Sequence, residues 1–268
     1  MVYQLLNGGE NYLAEFFASV VGWSYRNEIE IRGGNEMRTI YLIHGLMGTA
    51  RHHFGPQLQE WKSSARVLPL DLPGHGGRSD EAPVPYFPGA LAWAAEHVKR
   101  HGRGHIVGLS LGASVAIHLA MAYPDLCESI VLTGYAPAIP AAMVPLMERQ
   151  YETFSNIHRT MPDVAAEFES LHGDKWYRTL KAVLDDMTFH YPTVSPEQLQ
   201  GLRVPTLVLN GAQEQHEREA ACEMARLNDQ ITVGLIPGAG HTAELQQPVL
   251  YNLMVNTFWG QVESATPG

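Results

Sequence analysis

Two residues of this chain stand where their types and spacing suggest chemistry: a serine held between glycines, and a histidine far downstream after a glycine-rich loop. Ser110 is the centre of Gly108-Leu109-Ser110-Leu111-Gly112. A strand-like apolar run, His105 to Leu109, precedes it, and Ala113 to Ala122 follows with apolar residues at helical spacing. The chain must turn sharply from strand to helix at the serine, with flanking glycines that let the backbone fold closely and push the hydroxyl outward. The plainer reading of Ser110 is a helix N-cap. A preceding strand and glycine on both sides fit an exposed nucleophile better. A serine hydroxyl is a weak nucleophile at its own pKa, so an imidazole must take its proton and later protonate the leaving group. His241, after Pro237-Gly238-Ala239-Gly240, sits at what the pattern makes the carboxyl end of a strand, where ligands bind in open α/β sheets. Most of the other histidines, out of thirteen, fall on expected helices or beside Arg and Lys, where a solvated side chain is the default.

The elements that would position these residues alternate. Strands are expected at Arg38–Ile43, Ala65–Leu70, His105–Leu109, Ser129–Thr133, Val204–Asn210 and Ile231–Ile236. Helices are expected at about His52–Lys62, Gly89–Arg100, from the Gly211–Gln215 loop to about Leu227, and at about Pro248–Phe258. Strands nearly continuous in apolar residues and alternating with helices imply a mostly parallel, doubly wound sheet covered on both faces. Residues 1–36 carry less pattern, with strand-like stretches at Gly22–Tyr25 and Glu28–Ile31 before a turn at Arg32–Asn35. From Gly134 to about Pro196 no strand is expected, only helical segments rich in Met and aromatics, with Met143, Met147, Tyr151, Phe154 and His158 at helical spacing. Residues 134–196 therefore read as a helical cap inserted after the sixth strand, and 1–133 with 197–268 as the core that it covers.

Composition narrows the partners. With 268 residues, 45% of them hydrophobic, the chain suffices for one large α/β domain carrying an insertion. A net charge of -10 and the absence of any Lys/Arg-rich run argue against nucleic acid or an anionic membrane, leaving small neutral molecules. Two cysteines, Cys127 and Cys222, are too few for a disulfide framework. The apolar patch from Leu13 to Trp23 lacks a basic start, so a cytoplasmic chain is expected. His52 and His53 are adjacent and point apart, which gives no metal site, and no G-x-G-x-x-G follows a strand, so no cofactor is implied. Oligomeric state leaves no trace in the pattern.

Five short motifs in order, each at a strand end, resemble the α/β-hydrolase fold family over about Trp23 to Trp259. They are His44-Gly45, Asp71-Leu72-Pro73-Gly74-His75-Gly76 with Ser79, the corner at Ser110, Gly211 with Glu214, and Pro237-Gly238-Ala239-Gly240-His241. The resemblance implies Ser110 as nucleophile, His241 as base, an acid between them in sequence, and a cap. The acid falls to Glu214, three residues past Gly211, where the family usually has Asp and where a longer side chain must bend back. The alternative for Glu214 is a solvated carboxylate in a helix's first turn, with Glu217 one helical step further as the rival. The matching oxyanion donors are the backbone N–H groups of Leu46 and Leu111. His44 then shapes its loop, and Asp71, His75 and Ser79 hold a bend. Met143, Met147, Phe154 and Trp176 are expected to contact substrate from the cap.

The expected activity is that of a cofactor-independent serine hydrolase acting through an acyl-enzyme on a small or medium, largely apolar ester, lactone or thioester. Carbon–carbon bond hydrolysis and perhydrolysis use the same triad, and a ligand receptor that keeps the pocket is the alternative of another class. Dehalogenation is disfavoured, since the family's dehalogenases carry a carboxylate where Ser110 stands.

Overall fold

A computed structural model describes residues 37–76 and 81–265. The expected strands at 22–25 and 28–31, and Ser79, lie outside the described residues.

Strand β1 (Arg38–Ile43) is followed by two short helices, α1 (Ala50–His53) and α2 (Gly55–Trp61). A single helix over His52–Lys62 was the expectation, and Pro56 explains the break. Proline has no N–H to donate to the His52 carbonyl four residues back and its ring crowds that carbonyl, so the first helix ends at His53, Phe54 leaves the helical region at φ −118° and ψ 26°, and the second helix restarts with proline in its first turn. Then come β2 (Ala65–Leu70), α3 (Tyr86–His101), β3 (Gly104–Leu109), α4 (Leu111–Ala122) and β4 (Cys127–Thr133). Between β4 and β5 (Thr206–Gly211) the chain is helical: α5 (Val144–Ser155), α6 (Ile157–Thr160), α7 (Pro162–His172), α8 (Trp176–Phe189) and α9 (Pro196–Gln200). It ends with α10 (Gln215–Leu227), β6 (Ile231–Ile236), α11 (Ala243–Gln246) and α12 (Pro248–Ala265). No helix among the described residues is long and apolar enough to cross a membrane.

The six strands among the described residues are all parallel, in the order β2-β1-β3-β4-β5-β6. Every residue of β3 and β5 is buried, as the unbroken apolar runs require of strands covered on both faces. Alternate side chains serve opposite faces. Tyr41, Ile43, Ile106, Ile130 and Leu132 pack beneath α3 and α4, while Ile40, Leu42, Val107 and Val131 meet Phe54, Trp61, Tyr251 and Trp259. The strand order reverses between β1 and β3, so the loops that leave those two strands diverge and open a crevice beside the end of β3. Ser110 stands at that end.

The helical segment between β4 and β5 has a core of its own, in which Phe154, Ile157, Val164, Phe168, Trp176, Leu180 and Leu184 pack together. It is tied to the sheet domain by polar contacts. Thr179 Oγ1 donates to the Gly74 carbonyl at 3.2 Å, and the Asp186 carboxylate accepts from Phe87 N–H at 2.6 Å.

Candidate active site

Ser110 has φ 55° and ψ −112°, a left-handed conformation that a residue with a Cβ adopts only under constraint. Two backbone bonds impose it. Ser110 N–H donates to the Thr133 carbonyl at 2.8 Å, and Ser114 N–H to the Ser110 carbonyl at 3.0 Å. The neighbouring glycines are a steric necessity: a Cβ on Gly108 would lie 2.3 Å from the Gly112 carbonyl oxygen, and one on Gly112 would lie 2.0 Å from that of Ile43. The side chain makes no N-cap bond, so the plainer reading of this serine does not hold here.

The half-buried Ser110 and His241 line one cavity of about 140 Å³ together with Glu217. His241 Nδ1 lies 2.5 Å from Glu217 Oε1. Because a carboxylate only accepts, Nδ1 carries the proton and Nε2 is the basic nitrogen. Glu217 is buried in the first turn of α10, and Asn210, at the end of β5, donates from Nδ2 to its backbone carbonyl at 3.0 Å. The partner of His241 is therefore not Glu214, which is a correction to the sequence reading. Glu214 is the N-cap of α10 with extended backbone, φ −86° and ψ 101°. The loop from β5 stays pinned to the β6 loop through Ala212 N–H and Gln213 N–H, so the helix begins one residue after Glu214. Its first turn, not the loop, brings a carboxylate to His241. The signal was present in the sequence as an acidic residue one helical step on, but it depends on where that helix starts.

Leu46 and Leu111 both line the cavity. Leu111 opens α4, where backbone N–H groups have no partner within the helix. The N–H of Leu46 is oriented through its own peptide plane. His44 Nε2 accepts from Leu72 N–H at 2.9 Å, which leaves the proton on Nδ1, and Nδ1 donates to the Gly45 carbonyl at 2.8 Å. The Gly45 carbonyl and the Leu46 N–H belong to one trans peptide and point oppositely, so holding the first aims the second. His53 Nδ1 accepts from Gly45 N–H at 3.1 Å. Burial drives the pKa of His44 down to about 4 and that of His53 well below its usual range, so both rings are neutral hydrogen-bonding parts. His75 is likewise buried and neutral, its ring 4.7 Å from that of His44, and Tyr86 Oη donates to the Pro73 carbonyl of the same bend. No group of His, Cys, Asp or Glu among the described residues is arranged to hold a metal ion.

Of the four residues expected to contact substrate, Met143 and Met147 line the cavity, with Gln150 continuing their stripe. Phe154 and Trp176 do not, which is the second correction. They are 1% and 2% exposed inside the helical segment's own core. A stripe on a helix rises 1.5 Å per residue, so Phe154 lies about 10 Å beyond Met147 and has run past the cavity. Periodicity gave the face but not how far along it the cavity extends. Leu184, Met187, Thr188, Tyr191 and His216 also line the wall, and no Lys or Arg is among the described lining residues.

This chain belongs to the alpha/beta hydrolase family, whose sequence model matches residues 40–252. Among solved structures it is similar to NosK from Streptomyces actuosus, with 37% identity and a TM-score of 0.79 over 85% of this chain and 100% of that one. Two curated proteins are also similar. PHYLLO, chloroplastic, of Arabidopsis thaliana is 23% identical over 299 residues, covering 94% of this chain and 17% of that protein. A pimeloyl-[acyl-carrier protein] methyl ester esterase of Neisseria meningitidis is 35% identical over 106 residues, 40% of each chain. The chain thus spans well under two thirds of either relative.

Proposed function

We propose that this chain is a serine hydrolase that cleaves a small or medium, uncharged and largely apolar carboxylic ester, lactone or thioester through an acyl-enzyme. The observation that carries the reading is the convergence of Ser110, His241 and Glu217 on one cavity, with Glu217 Oε1 2.5 Å from His241 Nδ1. In the proposed reaction Ser110 Oγ attacks the carbonyl carbon while His241 Nε2 takes its proton. Glu217 holds the ring in the productive tautomer and stabilises the imidazolium. The N–H groups of Leu46 and Leu111 receive the charge that develops on the carbonyl oxygen. The imidazolium then protonates the leaving group, and water, deprotonated by the same imidazole, releases the acid.

Residues 134–196 act as the cap over this reaction, with Met143 and Met147 contributing adaptable apolar surface. The wall's lack of Lys or Arg among described residues favours uncharged acyl groups, because an anionic one would meet the buried Glu217 without a compensating cation. The methyl ester esterase among the relatives supports an ester substrate. The test is labelling with a fluorophosphonate, read by mass on the Ser110 peptide, beside turnover of p-nitrophenyl esters, thioesters and lactones of graded length. Absence of both label and turnover would leave the receptor reading standing.

A further inference from the structure

We infer that His172, in the cap, is a positioning residue for the oxyanion-binding N–H of Leu46; this rests on the hydrolase reading above. His172 is the last residue of α7 and is 5% exposed. Its Nδ1 accepts from Gly76 N–H at 2.8 Å, which puts the ring proton on Nε2, and Nε2 donates to the Met47 carbonyl at 3.1 Å. One cap imidazole thus ties together the loops that leave β1 and β2. Its ring stands edge-on to His75 at 5.3 Å, in the same buried group that includes His44.

Met47 is the residue after Leu46, and it has φ 47°, left-handed without being glycine. Such a conformation is strained for a residue with a Cβ and lasts only where the surroundings over-determine it. Two cap contacts supply that constraint. The Met47 side chain is packed within the cap's own apolar core, beside Phe154, Ile157, Phe168 and Trp176, and its carbonyl is held by His172. Leu46 therefore lies between two histidine anchors: His44 on the peptide before it and His172 on the peptide after Met47. With His172 gone, Met47 can relax toward ordinary φ. The rotation passes back along the chain and turns the Leu46 N–H away from the developing charge, which exists only in the transition state.

The experiment compares His172→Ala and His172→Gln with wild type in kcat, KM and the Ki of an alkylboronic acid, which forms a tetrahedral adduct with the serine. Turnover is expressed per site titrated to completion with a fluorophosphonate, so that misfolded protein is not counted. The expected result for His172→Ala is a fall in kcat of about ten-fold or more, with KM within two-fold and boronate affinity falling in step with kcat. Glutamine, which retains one donor and one acceptor, should recover most of both. Wild-type kcat per site and wild-type boronate affinity in His172→Ala would overturn the inference, as would a loss in which kcat falls and boronate affinity does not. If the alanine variant does not fold, His172→Phe, which keeps the ring volume without its nitrogens, is read by the same criteria. Ser110→Ala separates the two readings: full turnover there overturns both, whereas its inactivity beside a normal His172→Ala overturns only the role of His172.

Discussion

Glu217 Oε1 and His241 Nδ1 stand 2.5 Å apart, one in the first turn of α10 and the other in the loop that follows β6. The pairing makes a specific contrast between two glutamates three residues apart. Glu217→Gln should lower kcat by roughly 10³- to 10⁴-fold, the scale on which a triad acid acts. Glu214→Gln should leave kcat near wild type. Steady-state kinetics of the two variants decides it, and the reverse order of severity would return the role to Glu214.

Ser110→Ala and His241→Ala should each remove on the order of 10⁶ of kcat, because the members of a triad such as the proposed one act as a unit. Ser110→Gly should be equally inactive and yet melt higher than wild type, since glycine adopts φ 55° without the penalty that serine bears. Activity and thermal melts of the same three preparations check both halves.

Four positions of the helical segment between β4 and β5 divide into two pairs. Met143→Ala and Met147→Ala should shift preference toward bulkier acyl groups by roughly ten-fold in relative kcat/KM, the scale of a methylene or two in an apolar pocket. Phe154→Ala and Trp176→Ala should instead cost about 3–5 kcal/mol of stability, as buried aromatic truncations do. A change in substrate ranking in the second pair without a lower melting temperature would put those side chains back in the pocket.

Five buried histidines set an acid limit. In the folded protein burial holds His44 and His105 down to about 4 and lowers His53, His75 and His172, while in the unfolded chain each takes a proton near its ordinary 6.5. The unfolded state therefore binds more protons as pH falls from about 6.5 toward 4, and stability is lost across that window. The melting temperature should drop by at least about 5 °C between pH 7 and pH 5, and a flat profile there would mean that these rings are not buried neutral.

Glu244 predicts the opposite limb. Its carboxyl is fully buried, neither oxygen has a hydrogen-bond partner among the described residues, and burial raises its pKa to about 8. Above about 4.5 the unfolded chain releases a proton that the folded chain keeps, so stability falls as pH rises from there to about 8. Glu244→Gln should therefore raise the melting temperature relative to wild type by more at pH 8.5 than at pH 5. Equal shifts at the two pH values would show the carboxyl to be solvated.

What the sequence disclosed tracks how local each signal is. The β3–Ser110–α4 corner was legible because the hydrophobic period changes from strand to helix within a few residues and the glycines mark the spot. His241 was legible because a glycine-rich loop isolates it from the helices. Glu217 was not, because the choice among carboxylates turned on a helix start, which depends on Ala212 and Gln213 bonding to a loop far along the chain. Phe154 shares an apolar stripe with the cavity methionines and Trp176 lies on another helix of the same insertion, and no pattern says where such apolar faces leave a pocket and enter a core. His172 gave no signal at all. A histidine at a helix end looks like a favourable charge on the helix dipole, and only tertiary contact makes it a neutral bridge.

The seat of Met47 in the cap's own core bears on how such proteins can be recombined. Grafting residues 134–196 from a relative onto this sheet domain would transplant more than a new pocket wall. It would also change the socket that receives Met47 and the imidazole on its carbonyl, both next to the backbone that would meet the oxyanion in the proposed reaction. A chimaera made at the cap boundaries alone should bind the donor's ligands and turn them over poorly, and carrying the donor's loop at positions 44–49 along with its cap should restore the rate. In the proposed reading the cap and that loop form one exchangeable unit, although three strands, β2 to β4, and four helices, α1 to α4, separate them in sequence.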